Sequence, residues 1–329
     1  MPDYSRYGLK DNPYRTGELD PLGNPLDEKR LAEVDGFVAH KQRVDGVLQT
    51  AVANRKPAFF LVAGSSGTGR STVANWILSR YANHLGLPRE RLLVPKRKVD
   101  SRDDFDVLRN WFAFLDNRID DEDDIDLGKK VDETLAVLPG AVQRETMVPA
   151  FARVARRVAI ALQTQKDPTG NACPAAYAVC LEKVEEYRII RAALDVFEEV
   201  PTVGVFTTFG LEHVGEEMLA LFRLPSSTSR HVIQLGLLSA AEVGLVLDRR
   251  WREASLNPND PPFDPATLEQ TLGTPPRSLG RVLRLMSRLI DVKLAEPSSP
   301  LAWPNNPDLR LTVAQIQQLL PILEPDYGP

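Results

Sequence analysis

The sequence predicts an α/β protein: a three-layer αβα core built on a parallel sheet, followed by a small all-helical lid domain. Three observations carry this. Short apolar runs alternate with helical patterns between residues 58 and 208, as strands and crossover helices do in a parallel sheet. A glycine-rich turn, Gly64 to Thr72, joins the first such run to a helical pattern. From Ser239 onward every periodic segment is helical.

The first residues, Tyr4 to Tyr14, combine aromatic side chains with turn formers and lead into Pro21, Gly23 and Pro25. That many aromatics predicts an ordered arm lying on a folded body, because a free tail would leave apolar surface in water. A helix is expected over 39–53, with Val44, Val47, Leu48 and Val52 on one face. The run Ala58-Phe59-Phe60-Leu61-Val62-Ala63, bounded by Pro57 and Gly64, reads as a buried parallel strand. Val73, Ile77, Leu78, Tyr81 and Leu85 then recur at helical spacing.

A second strand is expected at Arg91 to Pro95, its proline marking a strand end or an edge, and Phe105, Leu108, Phe112 and Leu115 mark the next helix. Asp120 to Asp126 carries six carboxylates in seven residues. It lacks the glycine and terminal glutamate of a calcium loop and reads as a solvated, self-repelling loop. An amphipathic helix follows from Glu145 to about Gln165, then a strand at Ala176 to Leu181. A helix through Ile189, Leu194 and Phe197 leads to a last strand at Thr202 to Phe206, ending at Thr207-Thr208.

Ser239 and Glu242 form a capping-box pattern that opens the helical part, with Val243, Leu247 and Trp251 on the apolar face. Asp264 or Pro265 starts another helix, Gly273 to Arg277 is a turn, and Leu279, Val282, Leu283, Met286, Leu289 and Ile290 face the core of the next. A proline-rich linker runs from Pro297 to Pro307, and Thr312 is placed to cap a short final helix. The expected domains are an arm at 1–36, the core at 37–236, the lid at 237–296, and the linker with its terminal helix at 297–329.

The 329 residues are 43% hydrophobic, enough to bury a full core. With 40 basic residues against 45 acidic ones the net charge is −5, so no global basic surplus marks a dedicated nucleic-acid binder. Cys173 and Cys180 have no partners at zinc-ligand spacing, and His40, His84, His213 and His231 are scattered. No signal sequence or membrane-length apolar run is present, so the expected location is cytoplasmic, without a membrane partner.

Gly64-Ser65-Ser66-Gly67-Thr68-Gly69-Arg70-Ser71-Thr72 carries the chemistry. A glycine-rich turn between strand and helix lets backbone N–H groups converge on phosphate oxygens at a helix N-terminus, where the dipole favours an anion. The Walker A pattern G-x-x-x-x-G-K-[ST] places lysine where this chain has Arg70. Arginine brings a longer planar fork that does not occupy the space of a compact ammonium.

In this order of parts the chain resembles the AAA+ ATPases, most closely the branch with origin-recognition ATPases, ExeA-type secretion ATPases and TnsC-type transposition regulators. The resemblance covers roughly residues 1 to 295. It rests on Tyr7-Gly8-Leu9 with Asn12-Pro13-Tyr14, the loop, the strand ending at Thr207-Thr208, Leu238 to Glu242 at the lid entry, and Pro276-Arg277 before a helix. It implies ATP or ADP as cofactor, with Mg²⁺ as a companion ion. Gly64, Gly67 and Gly69 would shape the loop, Ser65, Ser66, Thr68 and Thr72 would line it, Arg70 would face the outer phosphates, and Ser71 would ligate the metal. The family's Walker B strand ends in Asp-Glu; here Leu181 stands at the Asp position and Glu182 at the Glu position. A shifted register puts Glu182 at the Asp position and Lys183 at the Glu position, with Glu185 and Glu186 one turn on. Thr207 or Thr208 would sense the γ-phosphate, Arg277 would be the lid arginine, and Arg223 and Arg230 are the candidates for a finger acting on a neighbouring subunit.

With both Walker motifs degenerate, the resemblance implies a nucleotide-binding switch with weak or absent hydrolysis that assembles with itself or with a partner protein. Two alternatives stay open. One is a pseudo-ATPase scaffold; the other is an active DNA-associated ATPase contacting nucleic acid through Arg281, Arg284 and Arg288, which recur at helical spacing.

Overall fold

A computed structural model of the chain describes residues 4, 8–15, 17–31, 35–98, 104–120, 144–166, 169–210, 215–223, 228–256, 265–273, 275–295 and 313–323. The chain divides into two compact units, one formed by 40–64 with 70–234, the other by 1–39, 65–69 and 235–329.

The first unit is the α/β core. Helix α2 (Asp35–Ala53), most of which belongs here, precedes strand β1 (Ala58–Gly64), buried along its whole length. Helix α3 is Arg70–Leu85. Strands β2 (Leu92–Leu93) and β3 (Lys96–Lys98) stand where one strand was expected. Pro95 lacks an amide to continue a ladder, and the chain changes sheets around it: β2 pairs with β4 (Ala176–Tyr177), whereas β3 joins the main sheet. Between them in sequence lie α4 (Asp104–Asp120) and α5 (Arg144–Gln163). Strand β5 (Val179–Glu182), helix α6 (Tyr187–Phe197) and strand β6 (Val203–Thr208) follow, then α7 (Glu216–Arg223) and β7 (Ser229–Leu235).

The main sheet has the order β3-β5-β6-β1-β7, and the β3–β5, β5–β6 and β6–β1 pairs are parallel. Strand β6 thus lies between the loop strand β1 and the strand that ends in Glu182. In register, Ala63 stands beside Thr208 and Leu181 beside Phe206, so the carboxyl ends of β1, β6 and β5 are neighbours. The core is aromatic: Trp111 of α4 meets Phe112, Tyr177 and Phe197 edge-on at 5.0, 5.5 and 5.3 Å. Strand β7 and helix α7 were not anticipated. Ser229 to Leu235 carries Arg230, His231 and Gln234, too polar a run to separate from a loop by periodicity.

The second unit is helical. Its principal helices are α8 (Ala240–Ala254), α9 (Pro265–Thr271), α10 (Leu279–Ala295) and α11 (Val313–Leu323). Ser239 caps α8 in the expected capping box, both of its reciprocal bonds being present. Leu9 and Tyr14 of the arm are buried in one apolar cluster with Trp251, Leu247, Met286 and Ile316. Lys10 N–H donates to Ala254 O at 2.8 Å, and Asn12 donates to Ser287 Oγ at 2.8 Å. The arm, the lid helices and the last helix therefore fall in one compact unit. Helix α1 (Pro25–Lys29) also belongs to it. The acidic run from Asp121 to Asp126, most of the 297–329 linker and the proposed cap Thr312 lie outside the described residues. Among the described residues no helix is long and apolar enough to cross a membrane.

Candidate functional site

Strand β1 ends at Gly64 and α3 begins at Arg70, so the loop 65–69 delivers the chain to a helix N-terminus, whose first amides have no intrahelical acceptor. Gly67 and Gly69 have φ of +79° and +95°, a region that a residue bearing a Cβ enters at a cost. Thr68 closes the turn, its amide and its hydroxyl both donating to Ser65 O, the hydroxyl at 2.9 Å. Ser65, Ser66 and Gly67 are exposed, whereas Ser71 and Thr72 are half-buried. These are the features of an anion cradle.

The loop apex packs as part of the helical unit. Gly280 N–H donates to Gly67 O at 2.6 Å, and a Cβ on Gly280 would lie 3.0 Å from Gly67 Cα. Gly280 was not singled out from the sequence. Its one signal there is an isolated glycine inside a strongly helical pattern.

Arg70 opens α3 and turns to the end of β6. Its Nη1 donates to Thr208 O at 2.6 Å, and its guanidinium lies over the Phe209 ring at 4.8 Å. Burial holds the guanidinium below its ordinary pKa, and the charge of Glu182 opposes that shift. Phe209, too, has no sequence signal, because ring and guanidinium come together only through the pairing of β6 with β1.

Glu182 ends β5. Its Oε1 is buried and has no hydrogen-bond partner among the described residues. Leu181 before it is fully buried, and Lys183 after it turns out at φ +58°. That left-handed turn is held from β6: Lys183 N–H donates to Thr207 Oγ1 at 3.0 Å, and Val184 N–H donates to Thr207 O at 2.8 Å. Thr207 and Thr208 are both buried, the first holding the Lys183 turn and the second presenting its carbonyl to Arg70. Glu185 and Glu186 are exposed beyond the strand end.

The remaining candidates have separate surroundings. Arg277 is buried in the helical unit, and its Nη1 donates to the carbonyls of Leu272, Thr271 and Pro275 at 2.8, 3.2 and 3.3 Å. Arg230 donates to Leu221 O and Thr228 Oγ1 at 2.9 and 3.1 Å. Arg223 is exposed at the end of α7, and Arg281, Arg284 and Arg288 are exposed along α10. Within the α/β unit the structure therefore gathers Arg70, Glu182, Thr207 and Thr208 at the carboxyl ends of β5 and β6. Arg277 belongs to the other unit.

A parallel sheet with helices, a glycine loop leading from a central strand into a helix, and a threonine and a glutamate ending the next two strands make up a P-loop-type α/β fold. The fold is that of the AAA+ P-loop ATPases. The Aeropyrum pernix ORC2 protein, in its ADPNP–ADP complexes, matches with a TM-score of 0.55 at 12% identity, over 94% of this chain and 72% of that one. The A. pernix ORC1 protein in complex with DNA gives 0.48 at 16% identity, over 89% of this chain and 66% of that one. A chain of the Escherichia coli HORMA:CdnC:Trip13 complex gives 0.48 at 13% identity, over 92% and 93%. No protein-family model matches the chain, and comparison with curated proteins finds no match.

Proposed function

We propose that the chain is an AAA+-like nucleotide-binding switch, taking ATP or ADP on the Gly64–Thr72 loop, with weak or absent hydrolysis, and using the bound state to assemble with itself or with a partner protein. The observation that carries this reading is a glycine loop with positive φ at Gly67 and Gly69 that leads from β1 directly into the N-terminus of α3 at Arg70. The cradle suits the phosphates, and a cation stands at its helix-side edge.

Hydrolysis asks more of the site than binding. The transition state needs metal and positive charge placed in line with the leaving oxygen, and a base or positioning group for water. Arg70 replaces the lysine, and the end of β5 supplies Glu182 without a preceding aspartate. Each such electrostatic group is typically worth about 10²–10³ in rate. The donors available to Mg²⁺ are the Ser71 hydroxyl and Glu182, and Leu181 stands where the family's ion-holding aspartate would be, so the chain does not present the family's metal set. Arg223, exposed at a helix end, is the better placed of the two finger candidates, since Arg230 is held by Leu221 and Thr228.

Calorimetric titration of the full chain with ADP and ATP tests the reading, with Arg70→Ala and Gly67→Asp run beside it. The expected outcome is micromolar binding, lost in Gly67→Asp, which strains a loop position of φ +79° and sets a Cβ 3.1 Å from Ser278 Oγ, and phosphate release near background. Absence of heat from a folded wild-type protein would remove the nucleotide reading and leave an assembly scaffold. Rapid turnover stimulated by DNA would replace the switch with an active DNA-associated ATPase.

A further inference from the structure

The carboxyl end of β6 already holds a fixed cation. One hydrogen bond to Thr208 O and the face of Phe209 set both the position and the plane of the Arg70 guanidinium, leaving its remaining N–H donors for a ligand. Glu182 ends the adjoining strand with a buried carboxylate oxygen that meets no hydrogen-bond donor among the described residues. Such an oxygen is costly unless a cation or a ligand faces it. Mg²⁺ demands near-octahedral oxygen coordination, usually from one or two carboxylates, phosphates and retained waters. Here a divalent ion would find the single carboxylate of Glu182 within the field of the Arg70 guanidinium, and the two cations would repel. Among the described residues no group of three His, Cys, Asp or Glu side chains is placed to hold a metal.

We infer that Arg70 stands in for the metal: the chain binds nucleoside di- or triphosphate without a divalent cation, the guanidinium meeting the terminal phosphate oxygens from its seat on Thr208 O and Phe209. This rests on the nucleotide reading above. It also accounts for an arginine in place of lysine, because the planar fork donates to two acceptors at once where an ammonium is a point charge.

The test is the affinity of the full-length chain for ADP, measured in excess Mg²⁺ and again in EDTA, by calorimetry or by displacement of a fluorescent ADP. Wild type is expected to hold its affinity within about threefold between the two conditions. Arg70→Ala is expected to weaken binding by more than about tenfold in EDTA, and to recover part of it when Mg²⁺ is added, because the guanidinium charge no longer opposes an ion beside Glu182. Circular dichroism and a melting curve establish that each variant is folded, and Arg70→Lys supplies a second, conservative probe expected to gain dependence on Mg²⁺. A wild-type affinity that falls about tenfold or more in EDTA overturns the inference while leaving nucleotide binding intact. No ADP binding in either condition, from folded protein, overturns the nucleotide reading and this inference with it.

Discussion

Arg277 offers the sharpest separation of a structural from a ligand-sensing role. Its guanidinium is buried and donates to three carbonyls at the end of α9 and in the turn after it, the shortest bond being 2.8 Å to Leu272 O. Its own carbonyl accepts from Leu238 N–H at 2.9 Å, which ties the turn to the entry of α8. Arg277→Met keeps the apolar stem and the backbone and removes the donors. A hydrogen bond from a charged donor contributes about 1.5–3 kcal/mol, and a cation at a helix C-terminus adds about 0.3–1 kcal/mol. Counting one strong bond, two longer ones and the dipole, the substitution should cost about 2–4 kcal/mol. In a chain of this size that lowers Tm by roughly 3–6 °C. Urea denaturation followed by circular dichroism reads the loss directly. Nucleotide affinity, measured on the protein that remains folded, should stay within about threefold of wild type. Stability unchanged to within about 0.5 kcal/mol, together with a tenfold or greater loss of ATP affinity, would refute the argument and place the guanidinium on the nucleotide.

Two further outcomes follow from the core. Gly204→Ala puts a Cβ 2.6 Å from Phe59 Cδ1 and 3.4 Å from Phe206 Cε2, between two rings stacked at 6.4 Å, so it should cost about 1–3 kcal/mol in a denaturation experiment. Pairing it with Phe59→Leu should recover part of that loss, which a purely backbone effect would not allow. His231, stacked on Phe60 with Nδ1 buried and unpartnered among the described residues, has its pKa lowered by burial and by the charge of Arg43. His40 is lowered by the same two causes. The unfolded state then binds more protons, so this contribution to stability is complete above the unfolded value of about 6.5 and declines as pH falls below it. Tm should drop on acidification through that range, and His231→Phe should shrink the drop; an identical pH profile for variant and wild type would count against it.

Much of the site was legible before any coordinates. Gly67, Gly69 and the helix that starts at Arg70 follow from local chemistry, since only a turn with positive φ passes from β1 into α3 in so few residues. The capping box of Ser239 and Glu242 was equally plain, because its two bonds span three residues. The partners of Arg70 were not legible. Thr208 is 138 residues away in the chain and Phe209 one further, and no spacing rule links them to the loop. The use of Arg277 was hidden for a related reason: an arginine before a helix looks the same in sequence whether it reaches a phosphate or the carbonyls of the preceding turn.

Local sequence thus determined the strand, the loop and the helix of the cradle, the alternation of strands and helices that makes the sheet parallel, and the helical nature of the second unit. Turn chemistry and side-chain periodicity act over a few residues, and each of those features is decided at that range. Tertiary structure decided that β6 lies between β1 and β5, and with it that Thr208 faces Arg70 and that Thr207 holds the turn after Glu182. It also decided that Leu9 and Tyr14 of the arm join Trp251 in one core. Strand order and the docking of an arm are choices among long-range pairings of similar local strength, settled by which arrangement buries the apolar faces together.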